Sequence, residues 1–279
     1  MTDRELIGLH HSLSRHEYEQ IDAANFSTLK HFDRSAAHAH EYILHPKEPT
    51  DAMELGTAVH MAILEPERFA SAYTVAPKVD RRTKEGKAEW AKIEADNPGR
   101  SFLSTEEYEQ CNGMMKAVES HPFAHQLIYG QGRNEISCIW KDEATGVLCK
   151  SRMDRFTSAW GYSVVLDIKS TGNAQEGIFK AQAARMLYHV QAAFYLDGLN
   201  TLAPLDRRFL TLVIERERPH GIQIFEMDDE ALSEGRSRYR SFLRQYKACK
   251  ETNNWPGYVN GIQPLALPKW AMNRSDGGE

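Results

Sequence analysis

A chain of 279 residues is long enough to bury a sizeable core, as one large domain or two small ones. With 41% hydrophobic and 26% charged residues it has the composition of an ordinary globular protein. Its formal net charge of -5 argues against a protein that coats nucleic acid by bulk electrostatics, but leaves room for a local basic groove.

Cys111, Cys138, Cys149 and Cys249 are widely spaced and form no C-x-x-C pair. That pattern argues against a zinc or iron–sulfur site and for reduced thiols in a cytoplasm. The N-terminus is polar, with no apolar run fit for export and nothing of membrane-span length, so the expectation is a cytoplasmic protein with no membrane partner.

Residues 1–24 read as a polar N-terminal arm. Asn25 or Ser27 then caps a helix start in which Phe26, Leu29 and Phe32 have helical spacing. The helix continues through Ala36 to Leu44 and stops at Pro46; His31, His38 and His40 on it lack an acid or cysteine at ligand spacing and read as packing and surface residues. Asp51 to Glu65 is a second helix, whose small residues Ala52, Gly56, Ala58 and Ala62 permit close approach. His60 lies on its apolar side: a satisfied core histidine, or a ligand if acidic strands pack against this helix. Arg81, Arg82, Lys84 and Lys87 form the densest basic cluster, either a solvated face or a phosphate-contact segment. A capped helix follows over Thr105 to Ser120.

From Glu135 the pattern turns to strands, with Glu135–Trp140 and Val147–Arg155 joined by a polar hairpin turn. A turn around Ala159 to Gly161 leads into Ser163–Ile168, a β-branched run of the kind buried on both faces. Glu135 either points inward as an extra acid or caps its strand. Asp167 and Lys169 are two apart and share a face, and Asp154 arrives on the neighbouring strand. Burying such charges is costly unless they are paired or bind a metal. Two carboxylates and an ammonium at one sheet edge suit metal-assisted phosphodiester hydrolysis, although a lone D-x-K is also a common surface ion pair.

One helix is expected over Gln175 to Leu199, placing Gln191 and Tyr195 on one face and offering Lys180 and Arg185 to a phosphate backbone. Strands Phe209–Glu215 and Gly221–Met227 and a helix from Asp229 to Lys250 complete the pattern. The tail is proline-punctuated, and residues 271–279 are expected to be disordered.

Glu54–His60, Ile63–Glu67, Val75–Ala–Pro77 with Arg81–Arg–Thr83, Thr145–Cys149, Asp154 to Lys169, Tyr188–Tyr195 and Leu267–Trp270 are taken together. They resemble the PD-(D/E)XK nuclease superfamily, in the branch shared by the RecB nuclease domain, lambda exonuclease and the C-terminal nuclease domain of RecE. The resemblance spans about residues 25–270 and implies one PD-(D/E)XK domain over that range, an α/β fold with a central mixed β-sheet flanked by helices. It further implies that His60, Asp154, Asp167 and the Ile168 carbonyl bind Mg²⁺ or Mn²⁺, and that Lys169 is the catalytic lysine. Gln191 and Tyr195 match the helix motif, and Glu135 matches an acidic position of related nucleases. Met153 stands before Asp154 where the superfamily's name has proline. DNA contacts are expected from Arg81, Arg82, Lys84, Lys87, Arg152 and Arg185.

The activity implied is 5′ to 3′ processive digestion of double-stranded DNA ends, leaving 3′ single-stranded tails for recombination by strand annealing in a bacterial host cytoplasm. The family pattern adds a ring-shaped homotetramer and a RecT-like annealing partner. A PD-(D/E)XK endonuclease of the restriction or repair kind, and a catalytically silent DNA-binding module, are the competing readings.

Overall fold

The computed structural model describes residues 3–46, 48, 50–77 and 79–268. The segment 271–279 and the end of the Leu267–Trp270 stretch lie outside the described residues. The first half of the chain supplies α1 (Asp3–Leu6), β1 (Gly8–His10), α2 (Arg15–Gln20), α3 (Phe26–Leu29) with a 3₁₀ turn Lys30–Asp33, α4 (Ala36–Leu44) and α5 (Asp51–Leu64). Then come α6 (Pro66–Ala72), β2 (Tyr73–Val75), α7 (Lys84–Asp96), β3 (Ser101–Leu103), α8 (Thr105–Ser120) and α9 (Pro122–Tyr129). The second half carries the long strands β4 (Gly132–Lys141), β5 (Leu148–Ala159) and β6 (Tyr162–Thr171), followed by α10 (Glu176–Arg185) and α11 (Tyr188–Leu202). It ends with β7 (Arg207–Glu215), β8 (Ile222–Glu226) and α12 (Asp229–Thr252).

Six strands form one mixed sheet in the order β1-β4-β5-β6-β7-β8, parallel only between β6 and β7. The β4–β5 turn is set by Asp142, which accepts hydrogen bonds from the Thr145 amide and hydroxyl, with Gly146 at φ 72°. The β5–β6 turn is two residues long, and Trp160 and Gly161 both take positive φ. That backbone matches the twist of the flanking strands. The link from β6 to β7 runs through α10 and α11, as a parallel pair requires a long crossover.

Both faces of the sheet are covered, which explains the near-continuous apolar run of β6. Val165 packs with α3, α4, α11 and α12 in one core. Val164, Leu166 and Ile168 pack on the other face with α5, α6, α8 and α9. The small buried residues Ala58 and Ala62 let α5 lie close on this second face.

Two elements differ from the expectation. The polar arm is part of the fold: β1 pairs with Ser137–Ile139 of β4, and Ala24 bridges to Cys149. Its polarity misleads because its attachments are backbone bonds, reinforced by the buried Lys150, whose Nζ donates to the carbonyls of Tyr18, Glu19 and Ile21. The single helix expected over 175–199 is two, broken where Leu187 adopts φ 60°. Leucine in the left-handed region costs about 1–2 kcal/mol. Burial of its side chain in the core accompanies that conformation, and no glycine or proline marks the break in the sequence.

Arg155 ties β5 to α9. Its buried guanidinium donates to the carbonyls of Leu127 and Gly130 and to Asn134 Oδ1, at 2.7, 2.5 and 2.5 Å. Replacing Arg155 with Met strands three acceptors, at about 1 kcal/mol or more each. Arg155→Met is therefore expected to lower unfolding free energy by about 3 kcal/mol, seen as an earlier denaturant midpoint at unchanged slope.

Candidate metal and catalytic site

The β5–β6 ladder is regular from Ala159 opposite Tyr162 to Arg155 opposite Leu166. One step further, the strands stop pairing as backbone. Asp154 Oδ2 instead accepts the Ile168 amide at 2.7 Å. In an extended strand the N–H and C=O of one residue point the same way. The Ile168 carbonyl is thus also directed to the β5 side, into the gap that the parting strands leave.

Around this gap the expected residues assemble. His60, on α5, sets Nδ1 3.5 Å from Asp154 Oδ1. The acidic strand does pack against this helix, so the condition that made His60 a ligand candidate is met. Lys169 donates to Asp167 Oδ1 at 2.9 Å, and its Nζ also lies 2.8 Å from Oδ2. Gln191 on α11 donates to Asp167 Oδ1 at 2.9 Å. The break at Leu187 starts α11 at Tyr188, whose ring centre lies 4.8 Å from Lys169 Nζ. Tyr195 neighbours Gln191, one turn on, and both acids. The site is thus built from one helix on each face of the sheet and two strands between.

The electrostatics follow from burial. Desolvation pushes the Asp167 carboxyl up and the nearby Asp154 adds to this, so that even with Lys169 beside it the group is held above its usual value. Desolvation opposes ionisation of Asp154 too, but His60, Lys169 and the Ile168 amide outweigh it, and its value is lowered. For His60 desolvation acts downward, yet the Asp154 carboxylate wins and the imidazole is raised. Lys169 is desolvated as well, and Asp167 and Asp154 raise it, so it is an ammonium at neutral pH. Burial, Tyr18 and the two acids hold Tyr195 well above the usual phenol range, so it remains a neutral hydrogen-bonding group.

The donor set fits a divalent cation. Asp167 Oδ2 is buried and makes no hydrogen bond of acceptable geometry, despite the proximity of Lys169. A buried acceptor without a donor is costly, and a cation satisfies it. Asp154, His60 and the Ile168 carbonyl add oxygen and nitrogen donors on the same gap. Among the described residues, no three His, Cys, Asp or Glu side chains close into a metal-holding group. Asp154 turns to His60, whereas Asp167 turns to Lys169 and Gln191.

Other expected residues fall elsewhere. Glu135 sits in β4 between Asn134 (opposite Arg155) and Ile136 (opposite Met153), with φ 56°; the register is the same on both sides, so it stands across from Asp154, and the two are skipped in the ladder. Its carboxylate is taken by Arg152 at 2.6 Å. Arg152 also donates to the Leu13 carbonyl and Ser137 Oγ, so it serves the fold at this position and presents little free guanidinium. Arg81, Arg82, Lys84 and Lys87 are exposed at the start of α7, with Arg81 stacked 4.2 Å over Trp90 and Arg82 3.8 Å from Asp80. Arg185 is exposed at the end of α10.

The sequence reading missed Lys30. It is half-buried on the 3₁₀ turn, and burial together with the nearby Lys169 charge lowers its value. It also missed Tyr18, which lies beside Tyr195 although it comes from the supposed arm. Neither had a local signal, because both reach the site only through tertiary packing.

A divalent ion needs His60 neutral and Asp167 ionised, and both hold their protons to higher pH than usual. Metal binding should therefore release protons, with affinity for Mn²⁺ falling as pH drops through the raised His60 value. Calorimetric titration between about pH 6 and 8 in buffers of different ionisation heat checks this. Affinity independent of pH over that range would remove His60 from the ligand set.

Comparison with known proteins agrees with the geometry. No curated protein matches the chain. A crystal structure from Eubacterium rectale, described as a "Putative exonuclease", superposes with a TM-score of 0.61 at 12% identity, covering 95% of this chain and 100% of the other. At that identity the likeness is one of fold. The crystal structure of SSO0001 matches at a TM-score of 0.28 and 13% identity, over 67% of this chain and 86% of the other, which is too low to carry an argument. Members of the PD-(D/E)XK class generally use divalent metals, in keeping with the donor set above. Residues 25–267 match the family described as "PDDEXK-like domain of unknown function (DUF3799)", and the chain belongs to that family.

Proposed function

We propose that the protein is a metal-dependent nuclease that degrades double-stranded DNA from its ends. The observation that carries the reading is the convergence of His60, Asp154, Asp167 and Lys169 on the gap between β5 and β6. In this reading Asp154, Asp167, His60 and the Ile168 carbonyl hold Mg²⁺ or Mn²⁺. When bound, the ion polarises the scissile phosphate and makes a water acidic enough to attack at neutral pH.

The chain's own residues then have distinct tasks. Lys169 is a cation, so it orients the attacking water and offsets negative charge building on the phosphate oxygens, without removing a proton itself. Gln191 holds the Asp167 carboxylate in one orientation. Tyr195, kept as a phenol, offers a neutral hydrogen bond beside it. The exposed Arg81, Arg82, Lys84 and Lys87 contact the phosphate backbone, and the Trp90 ring under Arg81 fixes one guanidinium against α7.

Digestion in the 5′ to 3′ direction, processive action and 3′ single-stranded tails for strand annealing are the finer reading. A closed homo-oligomer, a ring tetramer in the family pattern, and a single-strand annealing partner belong with it. The support for these is the resemblance in motif order.

A single experiment separates the enzyme readings. Linear and covalently closed duplex DNA are incubated with Mg²⁺ and protein or with Lys169→Ala. The expected result is loss of the linear substrate alone, with a drop of about 10³-fold or more for the variant while Mn²⁺ affinity changes little. Cutting of the closed circle would replace the exonuclease with an endonuclease, and full activity in Lys169→Ala would overturn the site.

Substituting both Arg81 and Arg82 by Ala tests the basic cluster. Binding to duplex DNA should weaken, and the slope of log affinity against log salt should become shallower by about one to two. An unchanged slope would mark the cluster as a solvated face.

A further inference from the structure

A glycine in the middle of a helix weakens it relative to alanine, because its backbone gives up the most freedom on folding. Four such positions occur among the described residues: Gly56 in α5, Gly113 in α8, Gly198 in α11 and Gly235 in α12. Three of them answer a need inside the chain. A methyl group would collide with the His220 ring at Gly113, with the Trp140 ring at Gly198 and with the His189 carbonyl at Gly235. Gly86 and Gly177 sit in the first turns of α7 and α10, where the helix amides still lack intrahelical partners.

Gly56 is different. A methyl group there would meet no atom within 4 Å, and the backbone is not in the left-handed region. Neither packing nor conformation within the chain calls for glycine. Its position supplies another reason. Gly56 and His60 are four apart on α5, hence neighbours along one face. Helical side chains lean toward the N-terminus, so the imidazole of His60 reaches back over the turn that Gly56 begins. Of the four groups at the gap His60 is the most open, with 29% of its side chain exposed against 7% for Asp167. The gap also holds Asp167 Oδ2, buried and without a hydrogen-bond donor. At 3.6 residues per turn, Asp51 and Glu54 are turned roughly 140–160° away from Gly56, so neither carboxylate stands on this face.

We propose that the sugar–phosphate backbone of the strand being cut crosses α5 at Gly56, against bare helix backbone, and so enters the gap beside His60. A polyanion lies this close to a helix only where no side chain intervenes and no acid shares the face. Gly56 meets both conditions, and glycine serves such close approaches elsewhere. The proposal rests on the nuclease reading above and adds the path by which the strand reaches the gap. Gly56 is in this role a positioning residue. A displacement of about 1 Å at a reacting group costs about 100-fold in rate, and a side chain at position 56 imposes one.

Gly56→Ala and Gly56→Leu in the full chain provide the test. Neither meets an internal obstacle, so both should melt no lower than the parent, with Gly56→Ala higher by about 2 °C. Turnover of linear duplex DNA with Mg²⁺ should fall about 3- to 10-fold for Gly56→Ala and about 100-fold for Gly56→Leu. Duplex affinity, read in a Lys169→Ala background to prevent cutting, should weaken about 10-fold with Gly56→Leu. Mn²⁺ affinity by calorimetry should stay within about twofold of the parent for both, since no ligand is altered. A Gly56→Leu chain that cuts and binds DNA like the parent would overturn the proposal. So would earlier melting of Gly56→Ala, which would mean that the fold itself uses the space. Loss of Mn²⁺ affinity would also overturn it, because the new side chain would then be acting on His60 and not on the strand. A parent chain that neither binds nor cuts duplex DNA would overturn the nuclease reading, and this path with it.

Discussion

The parting of β5 from β6 at Asp154 is the constraint on which the site depends. Where the ladder would continue, a carboxylate takes the place of a backbone carbonyl and binds the Ile168 amide. Two acids are thereby held at the mouth of a gap, where burial and Asp154 raise Asp167 while His60, Lys169 and the Ile168 amide lower Asp154. Buried charges of like sign are tolerated only with compensation. Here His60, Lys169 and Gln191 supply it from α5, β6 and α11. Each compensating group is also one that a hydrolytic centre uses, so stability and chemistry draw on the same contacts.

The two cores hold this arrangement to tolerance. α5 lies on one face of the sheet through Ala58, Val59, Ala62 and Ile63, and α11 on the other through Val190, Ala193 and Phe194. A site carried by packed helices and strands is more rigid than one carried by loops. The left-handed turn at Leu187 is a costly local feature in this frame, and it is what starts α11 where Tyr188 reaches Lys169 and Gln191 reaches Asp167.

Much of this was legible in the residues. The β-branched run with Asp167 and Lys169 at its end identified β6, and the capped helix expected over Thr105 to Ser120 is α8, with Ser104 as its cap. The pairing of His60 with Asp154 was legible only as a conditional, since periodicity places a residue on a face without saying what the face meets. What stayed hidden depends on tertiary contact. The Arg152–Glu135 pair joins residues that look like a DNA contact and a site acid when read alone. The supposed arm is held through its own main-chain groups, by strand pairing and by the buried Lys150 ammonium that donates to its carbonyls, which leaves no apolar period to detect. Leu187 carries no breaker signal, because its conformation is imposed by what surrounds it.

The lysine clasp on α2 has a bearing on where this protein can be divided. The family likeness starts at residue 25, yet the Lys150 ammonium is buried against carbonyls that all precede it. A version trimmed to the likeness would keep every acid of the site and still strip Lys150 of its three carbonyl partners. It would also bare the flank of β4 and unroof the phenol of Tyr195 on the side where Tyr18 now lies. The leading two dozen residues act as a gasket for the working sheet, and similarity alone sets the cut in the wrong place.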